Sequence, residues 1–363
     1  MNLTTNYSTF PPTPDSLTTS YPTHSPSGAR YLEFLNSYAA IFVVVLGVIG
    51  NCLSITVLLA VKSLRTTSTG ILLTILAFAD NGALLIGLLP VWIKAVFNVS
   101  LYEVNVVVCK FRYVFMYFSL QYSSSVLVLI AIERFVSVYN PAKANEWFSL
   151  KRTGIIAAGL GIFLFLLNSH WFATMEIETT TEASRCSAPE SSQYFVYEVW
   201  VWIDLLIYAL IPWVLLSVCN VAIVLRVRNL GRRLTLRRLN SGSSASRRSK
   251  LTSMTAMLLV VNTSFLITTM PFAIYVLCLS AEYLSLVKEL IYESLYLLSY
   301  INNAINFFLY VISGVRFRAA MMKLLRRGLS YFAPNRSSST TTNEVLTSVN
   351  SRQRNNSKCT TLI

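Results

Sequence analysis

Seven stretches of this chain are each long and apolar enough to cross a lipid bilayer, and that feature leaves few folds open. Residues 38–61, 113–132, 153–175 and 251–281 carry no charge, and each meets or exceeds the roughly 20 residues a helix needs to span hydrocarbon. Three further runs carry one acid each: residues 70–93 with Asp80, 199–225 with Asp204 and 290–315 with Glu293. In lipid a helix satisfies its own backbone hydrogen bonds, so the expected fold class is an all-α membrane protein, a bundle of seven transmembrane helices. Charged residues make up 13% of the chain, about half the share in soluble domains, which excludes an ordinary soluble domain. Six cysteines in 363 residues do not form a disulfide scaffold.

The loops set the orientation. With seven spans the two ends lie on opposite sides. One side collects 24 of the 30 basic residues, including nine between Arg226 and Lys250 and nine from Arg316 onward. The other side holds Arg30, Lys94, Lys110, Arg112, Arg185 and Lys288, with twelve of the acids. Basic short loops stay in the cytoplasm, so the N-terminus is expected outside. No basic stretch precedes an apolar core in the first ten residues, so the first span is expected to act as signal anchor. Three regions follow: an extracellular disordered tail over 1–36, a membrane domain over 37–328 and a cytoplasmic disordered tail over 329–363. Asn2 and Asn6 begin glycosylation sequons in the outer tail. Asn98 begins a third, close to a membrane end.

Within this frame an ordered series of motifs appears: Gly50-Asn51, Leu76-Ala77-Phe78-Ala79-Asp80, Glu133-Arg134-Phe135, Pro212, Phe265 with Pro271, Asn306-Phe307-Phe308-Leu309-Tyr310, and Phe317-Arg318. Cys109 precedes Arg134 by 25 residues. Together these resemble the rhodopsin-like (class A) G-protein-coupled receptors over about residues 37–328. The resemblance implies a short amphipathic eighth helix after the seventh span, a plasma-membrane location and coupling to a heterotrimeric G protein. It pairs Cys109 with Cys186 as a disulfide. It gives Arg134 a part in G-protein contact, with Glu133 as its resting partner, and makes Phe265, Pro271, Asn306 and Tyr310 parts of the activation machinery, the sixth helix swinging outward around Pro271. It also implies an allosteric sodium ion at Asp80 with Ser123, Asn302, Asn303 and Asn306. Read from the residues alone, a carboxylate inside a span needs polar partners, and a hydrogen-bond network with water serves as well as an ion.

Departures from the family pattern are specific. Phe307 replaces a proline, Thr269 a tryptophan and Asn220 a tyrosine, and the fourth span lacks its usual tryptophan. Such departures suggest a divergent invertebrate member. Lys250 stands where relatives often place an acid at the foot of the sixth span, so basal activity is expected. Met116 occupies the position at which amine receptors carry an aspartate, and Tyr300 that of the retinal lysine in opsins.

The outer face is acidic, with Glu176, Glu178, Glu182, Glu190 and Glu198 against Arg185, and with Asp204, Glu282, Glu289 and Glu293 at the mouth or upper bundle. A rim of one sign attracts the opposite charge. The expected ligand is therefore a short basic neuropeptide, of which many are amidated, meeting Glu178, Glu182 and Glu293 and a pocket of Tyr117, Gln121, Asp204, Tyr208, Phe272 and Tyr296. The same acids also read as the outer complement of the basic inner loops, and the same aromatics as bundle core. A lipid or other nonpeptide ligand is the alternative within the family. Outside it stands a transporter with Asp80 as ion site. Enzyme classes fare poorly: His24 and His170 are the only histidines, and no second acid faces Asp80 as an intramembrane aspartyl protease requires.

On the inner side, the basic loop before Lys250 suits G protein and anionic lipid. Phosphorylation within 337–342 would make an acidic ligand for arrestin, and Thr361-Leu362-Ile363 resembles a PDZ-domain ligand. No nucleic-acid partner is expected.

Overall fold

In the computed structural model, the described residues are 26–179, 184–237, 245–278 and 286–332. Seven helices are long and apolar enough to cross a membrane: Ser27–Ala60, Ser68–Phe97, Val106–Tyr139, Leu150–Thr174, Glu190–Asn229, Ala256–Leu277 and Val287–Ser313. These are the first to seventh spans. The third lies centrally and packs on the second, fourth, fifth and sixth, while the seventh lies between the first and sixth and also meets the second. The fourth is the least buried. Its exposed face carries Ile155, Ile162, Phe163 and Leu166, as expected of a helix with lipid on one side.

Most spans are longer than their uncharged runs. The third runs for 34 residues because Lys110, Arg112, Glu133 and Arg134 belong to it. Asn105 caps its start by accepting from the Val107 amide at 2.7 Å. Asn140 ends it and caps the following short helix, Pro141–Trp147, through the Lys143 amide. Thr67 caps the second span by accepting from the Gly70 amide at 3.0 Å, and Asn98 closes that span in the left-handed conformation, φ 54°. The asparagine of the third sequon is thus a helix cap.

The expected disordered tail over 1–36 is corrected for its final third: the first span is already helical from Ser27. Tertiary anchors hold this extension. The Tyr31 hydroxyl lies 3.1 Å from Ser294 Oγ on the seventh span, Trp92 Nε1 donates to the Ser37 carbonyl at 2.9 Å, and Leu35 is buried. Hydropathy alone misses it, because polar and charged positions such as Arg30, Glu33 and Asn36 interrupt the apolar pattern. Residues 1–25, with Asn2 and Asn6, lie outside the described residues.

Two prolines sit just beyond widened turns. Ala83–Leu88 and Leu206–Leu210 are π-helical, and each ends two residues before a proline, Pro90 and Pro212 respectively. A proline lacks the N–H that would bond the carbonyl four residues back, and these wider turns accommodate its loss. Pro271 lies inside the sixth span. There the hydroxyls of Thr268 and Thr269 bond back to the carbonyls of Ser264 and Phe265 at 2.9 and 2.7 Å, a pattern that bends helices.

Between the fourth and fifth spans, β1 (Glu176–Thr179) and β2 (Ser184–Ser187) form an antiparallel hairpin. Beyond the seventh span the chain breaks at Gly314 and enters a helix over Val315–Phe332. Arg318 Nη1 donates to the Val311 carbonyl at 2.8 Å, capping the end of the seventh span, and Phe317 packs on Tyr310 with ring centroids 5.5 Å apart. The chain divides into two units, residues 1–321 and 322–363; described residues of the second are helical to Phe332.

Close helix approach depends on one glycine in particular. A Cβ at Gly47 would stand 2.9 Å from the Ala304 backbone and would collide with the Leu84 side chain. Gly47→Val is therefore expected to destabilise the bundle by about 1–3 kcal/mol through overpacking, read as a lower thermal midpoint of the purified protein. An unchanged midpoint would show that the first and seventh spans separate at no cost.

Candidate functional site

The third span carries functional groups at both ends and in its middle. Near one end, Cys109 forms a disulfide with Cys186 of β2, Cα to Cα 5.8 Å, and so ties the hairpin to the bundle. Near the other end is Arg134. Twenty-five residues at 1.5 Å each separate them by roughly 37 Å, enough to cross the hydrocarbon.

Below the hairpin lies a cavity of about 150 Å³. Tyr117, Asp204, Tyr208 and Phe272 line it as the sequence suggested, and Trp171 and Tyr292 complete much of the wall. Tyr296 is a correction: Tyr292, one turn earlier, takes the wall position, and its ring stacks on that of Tyr296 at 6.0 Å with planes 10° apart. Gln121 is also displaced from the wall. It is fully buried behind Asp204, donating from Nε2 to Oδ1 at 2.8 Å. Its own Oε1 accepts from Asn168 Nδ2 at 2.7 Å. This chain joins the third, fourth and fifth spans, and Asn168 escaped the sequence reading although an amide in an apolar span is the signal for it. Glu293 is buried but does not line the cavity. On the exposed strand β1, Glu178 faces Arg185 of β2 and accepts from Ser187 Oγ at 3.2 Å. Glu182 lies outside the described residues.

At mid-bundle Asp80 is wholly buried. Its Oδ1 accepts from Ser123 Oγ at 2.6 Å and Asn303 Nδ2 at 2.8 Å, and its Oδ2 from Asn306 Nδ2 at 2.7 Å. Asn51 of the first span donates to the Asn303 carbonyl at 3.0 Å, so four spans meet here. Asn302 is corrected: it is buried but makes no hydrogen bond to Asp80, because its neighbour Asn303 occupies that direction. The buried Oδ1 atoms of Asn302, Asn303 and Asn306 have no hydrogen-bond partner. Asp80 and Ser123 offer oxygens, the donors that hard cations prefer, whereas Asn303 and Asn306 turn their amide nitrogens toward the carboxylate.

At the far end Glu133 holds Arg134. Arg134 Nε lies 3.0 Å from Oε2, and Nη2 donates to Oε1 at 3.1 Å. Glu133 also accepts from Ser68 Oγ and Thr69 Oγ1, each at 2.9 Å, which the sequence reading missed. These hydroxyls open the second span, so the acid is fixed on its neighbour as well as on Arg134. Lys250, with the side chains of residues 230–255, lies outside what is described.

Between the cavity and Arg134 stand the groups that departed from expectation. Trp213 of the fifth span donates from Nε1 to Thr269 Oγ1 at 3.0 Å. An indole is thus present at this level, contributed by the fifth span rather than by position 269. Two turns further along the same pair of spans, Asn262 Nδ2 donates to Asn220 Oδ1 at 3.0 Å. Phe265 is buried and meets Tyr208 edge-on at 6.4 Å. Tyr310 is buried against Phe317. Cys219 is buried, and Cys52 is exposed on the outside of the bundle.

A family model described as 7 transmembrane receptor (rhodopsin family) matches residues 50–310. The match takes in Gly50, the disulfide, the Asp80 cluster, Arg134 and Tyr310, and it sets aside the transporter and enzyme alternatives.

Asn306→Leu removes the one donor to Asp80 Oδ2 and should lower stability by about 1–3 kcal/mol. In an Asp80→Asn background the same change should cost less. Thermal unfolding of the four purified proteins checks this; equal costs in both backgrounds would show that Asn306 acts by packing alone.

Proposed function

The chain belongs to the rhodopsin family of seven-transmembrane receptors, and on that premise we propose that it recognises a basic neuropeptide at the hairpin-bearing end and transmits the event to a heterotrimeric G protein at the Arg134 end. It is a G-protein-coupled receptor of the plasma membrane and not an enzyme. The observation that carries the ligand reading is the combination of an aromatic cavity holding Asp204 with the exposed strand β1, which carries Glu176 and Glu178, above it. In this reading the N-terminus is extracellular, following the bias of basic residues.

The signal is a shift between two packings of the spans. In the resting arrangement Glu133 neutralises Arg134 and is itself held by Ser68 and Thr69. Release of Arg134 makes its guanidinium available to the G protein, and the bend at Pro271 gives the sixth span a hinge for opening the inner face. A sodium ion held by Asp80, Ser123 and the free amide oxygens of Asn303 and Asn306 would favour the resting packing. The helix after Gly314 lies on the membrane surface in this reading, with Phe317 inward and Arg316 outward. Arrestin after phosphorylation and a PDZ domain are proposed partners of the C-terminal tail.

The test is a calcium and cyclic AMP screen in cells expressing the chain, challenged with amidated neuropeptides and compared with untransfected cells. A saturable response at nanomolar peptide supports the reading. Silence despite verified surface expression overturns the peptide assignment in favour of a lipid or other nonpeptide ligand. Arg134→Ala is expected to abolish most of the response while leaving surface expression intact. Reversal of Glu178 and Glu182 to Lys should weaken a basic peptide by roughly tenfold, mainly through association rate; unchanged potency would remove the acidic rim from the account.

A further inference from the structure

We propose that the cavity below the hairpin is a pocket for one side-chain-sized organic cation, an alkylguanidinium or alkylammonium, with Asp204 as its counter-ion. The proposal deepens the ligand reading above and rests on it for biological meaning.

Three observations carry it. The first is the state of the carboxylate. Asp204 Oδ1 accepts from Gln121, which is itself held by Asn168, and Asn168 is anchored to the Leu164 carbonyl at 2.8 Å. Gln121 and Asn168 are both fully buried, so side chains on three spans fix the carboxylate's direction. No lysine, arginine or histidine among the described residues pairs with it, and its charge is offset only by the Gln121 amide. A carboxylate in a membrane span is retained at high cost unless it meets a positive partner.

The second observation is the wall. Tyr117, Trp171, Tyr208, Phe272 and Tyr292 surround Asp204 in the cavity, and aromatic faces attract organic cations. One carboxylate among aromatic rings favours a cation over either an anion or a neutral polar group.

The third is size. Pockets for whole drug-sized ligands enclose about 300–1,000 Å³, whereas this one encloses about 150 Å³. It therefore admits one arm of a ligand, the remainder lying toward the hairpin. Specificity for a single basic residue follows, with Gln121 and Asn168 as positioning residues that orient the counter-ion without touching the ligand.

The test uses the full-length chain in nanodiscs, with n-butylguanidinium as probe and n-butylurea as its uncharged counterpart, at matched ionic strength in sodium chloride. Trp171 on the wall provides the fluorescence readout, with the thermal midpoint as a second one. The cation is expected to give a saturable change at a concentration at least roughly tenfold below that for the urea, and Asp204→Asn is expected to erase the difference. Equal half-saturation by the two probes on the native chain, or no saturable effect of the cation, overturns the proposal without need of any variant. An effect that survives Asp204→Asn also overturns it. Because no G protein or peptide enters this assay, a silent second-messenger screen would bear on the receptor's ligand class and leave the pocket result standing.

Discussion

In hydrocarbon a polar side chain has little water to bond, so a group inside the bundle is driven to find a partner on another helix or on its own turn. The arrangement of the seven spans follows from that requirement as much as from packing. Asp80 draws donors from the third and seventh spans, Asn51 ties the first span to the seventh, Gln121 and Asn168 link the third and fourth to Asp204 on the fifth, and Glu133 holds the start of the second. Apolar surface gives little reason for one helix to choose another when lipid is equally apolar. These bonds supply direction, and close contacts such as Gly47 against Ala304 supply the fit.

That requirement also explains which parts of the molecule were legible in the sequence. The seven spans were, because uncharged runs of 20 residues have few other readings. Their ends were not. Counting charges clipped the third span at Tyr113 and Ile132, and the residues clipped away include Glu133 and Arg134, whose charges are satisfied within the fold. The extension of the first span back to Ser27 depends on Tyr31, Leu35 and Ser37 meeting other spans, which no local pattern encodes. Around Asp80, Ser123, Asn303 and Asn306 were identifiable through the family resemblance, as polar groups on spans that a buried carboxylate can recruit. Asn302 and Asn303 are adjacent and point in different directions, and only the packing decides which one reaches the carboxylate. Tyr292 and Tyr296 pose the same problem at the cavity wall.

The departures at Thr269 and Asn220 look in sequence like losses of function, each replacing an aromatic ring with a small polar group. In the fold each becomes half of a bond between the fifth and sixth spans: Thr269 accepts from Trp213, and Asn220 accepts from Asn262. A ring fills space and can turn over a wide range, whereas a hydrogen bond in a membrane is either made or broken. Exchanging the first for the second changes the way two helices can part, from gradual repacking to the rupture of discrete contacts worth about 1 kcal/mol each.

The position of these bonds gives that exchange its consequence. Thr269 lies two residues before Pro271, and Trp213 follows Pro212, so the upper bond joins two helices next to their weakest turns. Above it, Tyr208 touches Phe265 and lines the same cavity as Asp204. A group that shifts Tyr208 therefore acts on Phe265, whose carbonyl also accepts from Thr269. The Thr269 hydroxyl thus stands in one short chain with the Trp213 indole and the bend of the sixth span. Below it, the bond from Asn262 to Asn220 joins the sixth span to the fifth nearer the Arg134 end. Two polar contacts of this size hold a closed packing by only a few kilocalories, within the range that ligand binding commonly redistributes.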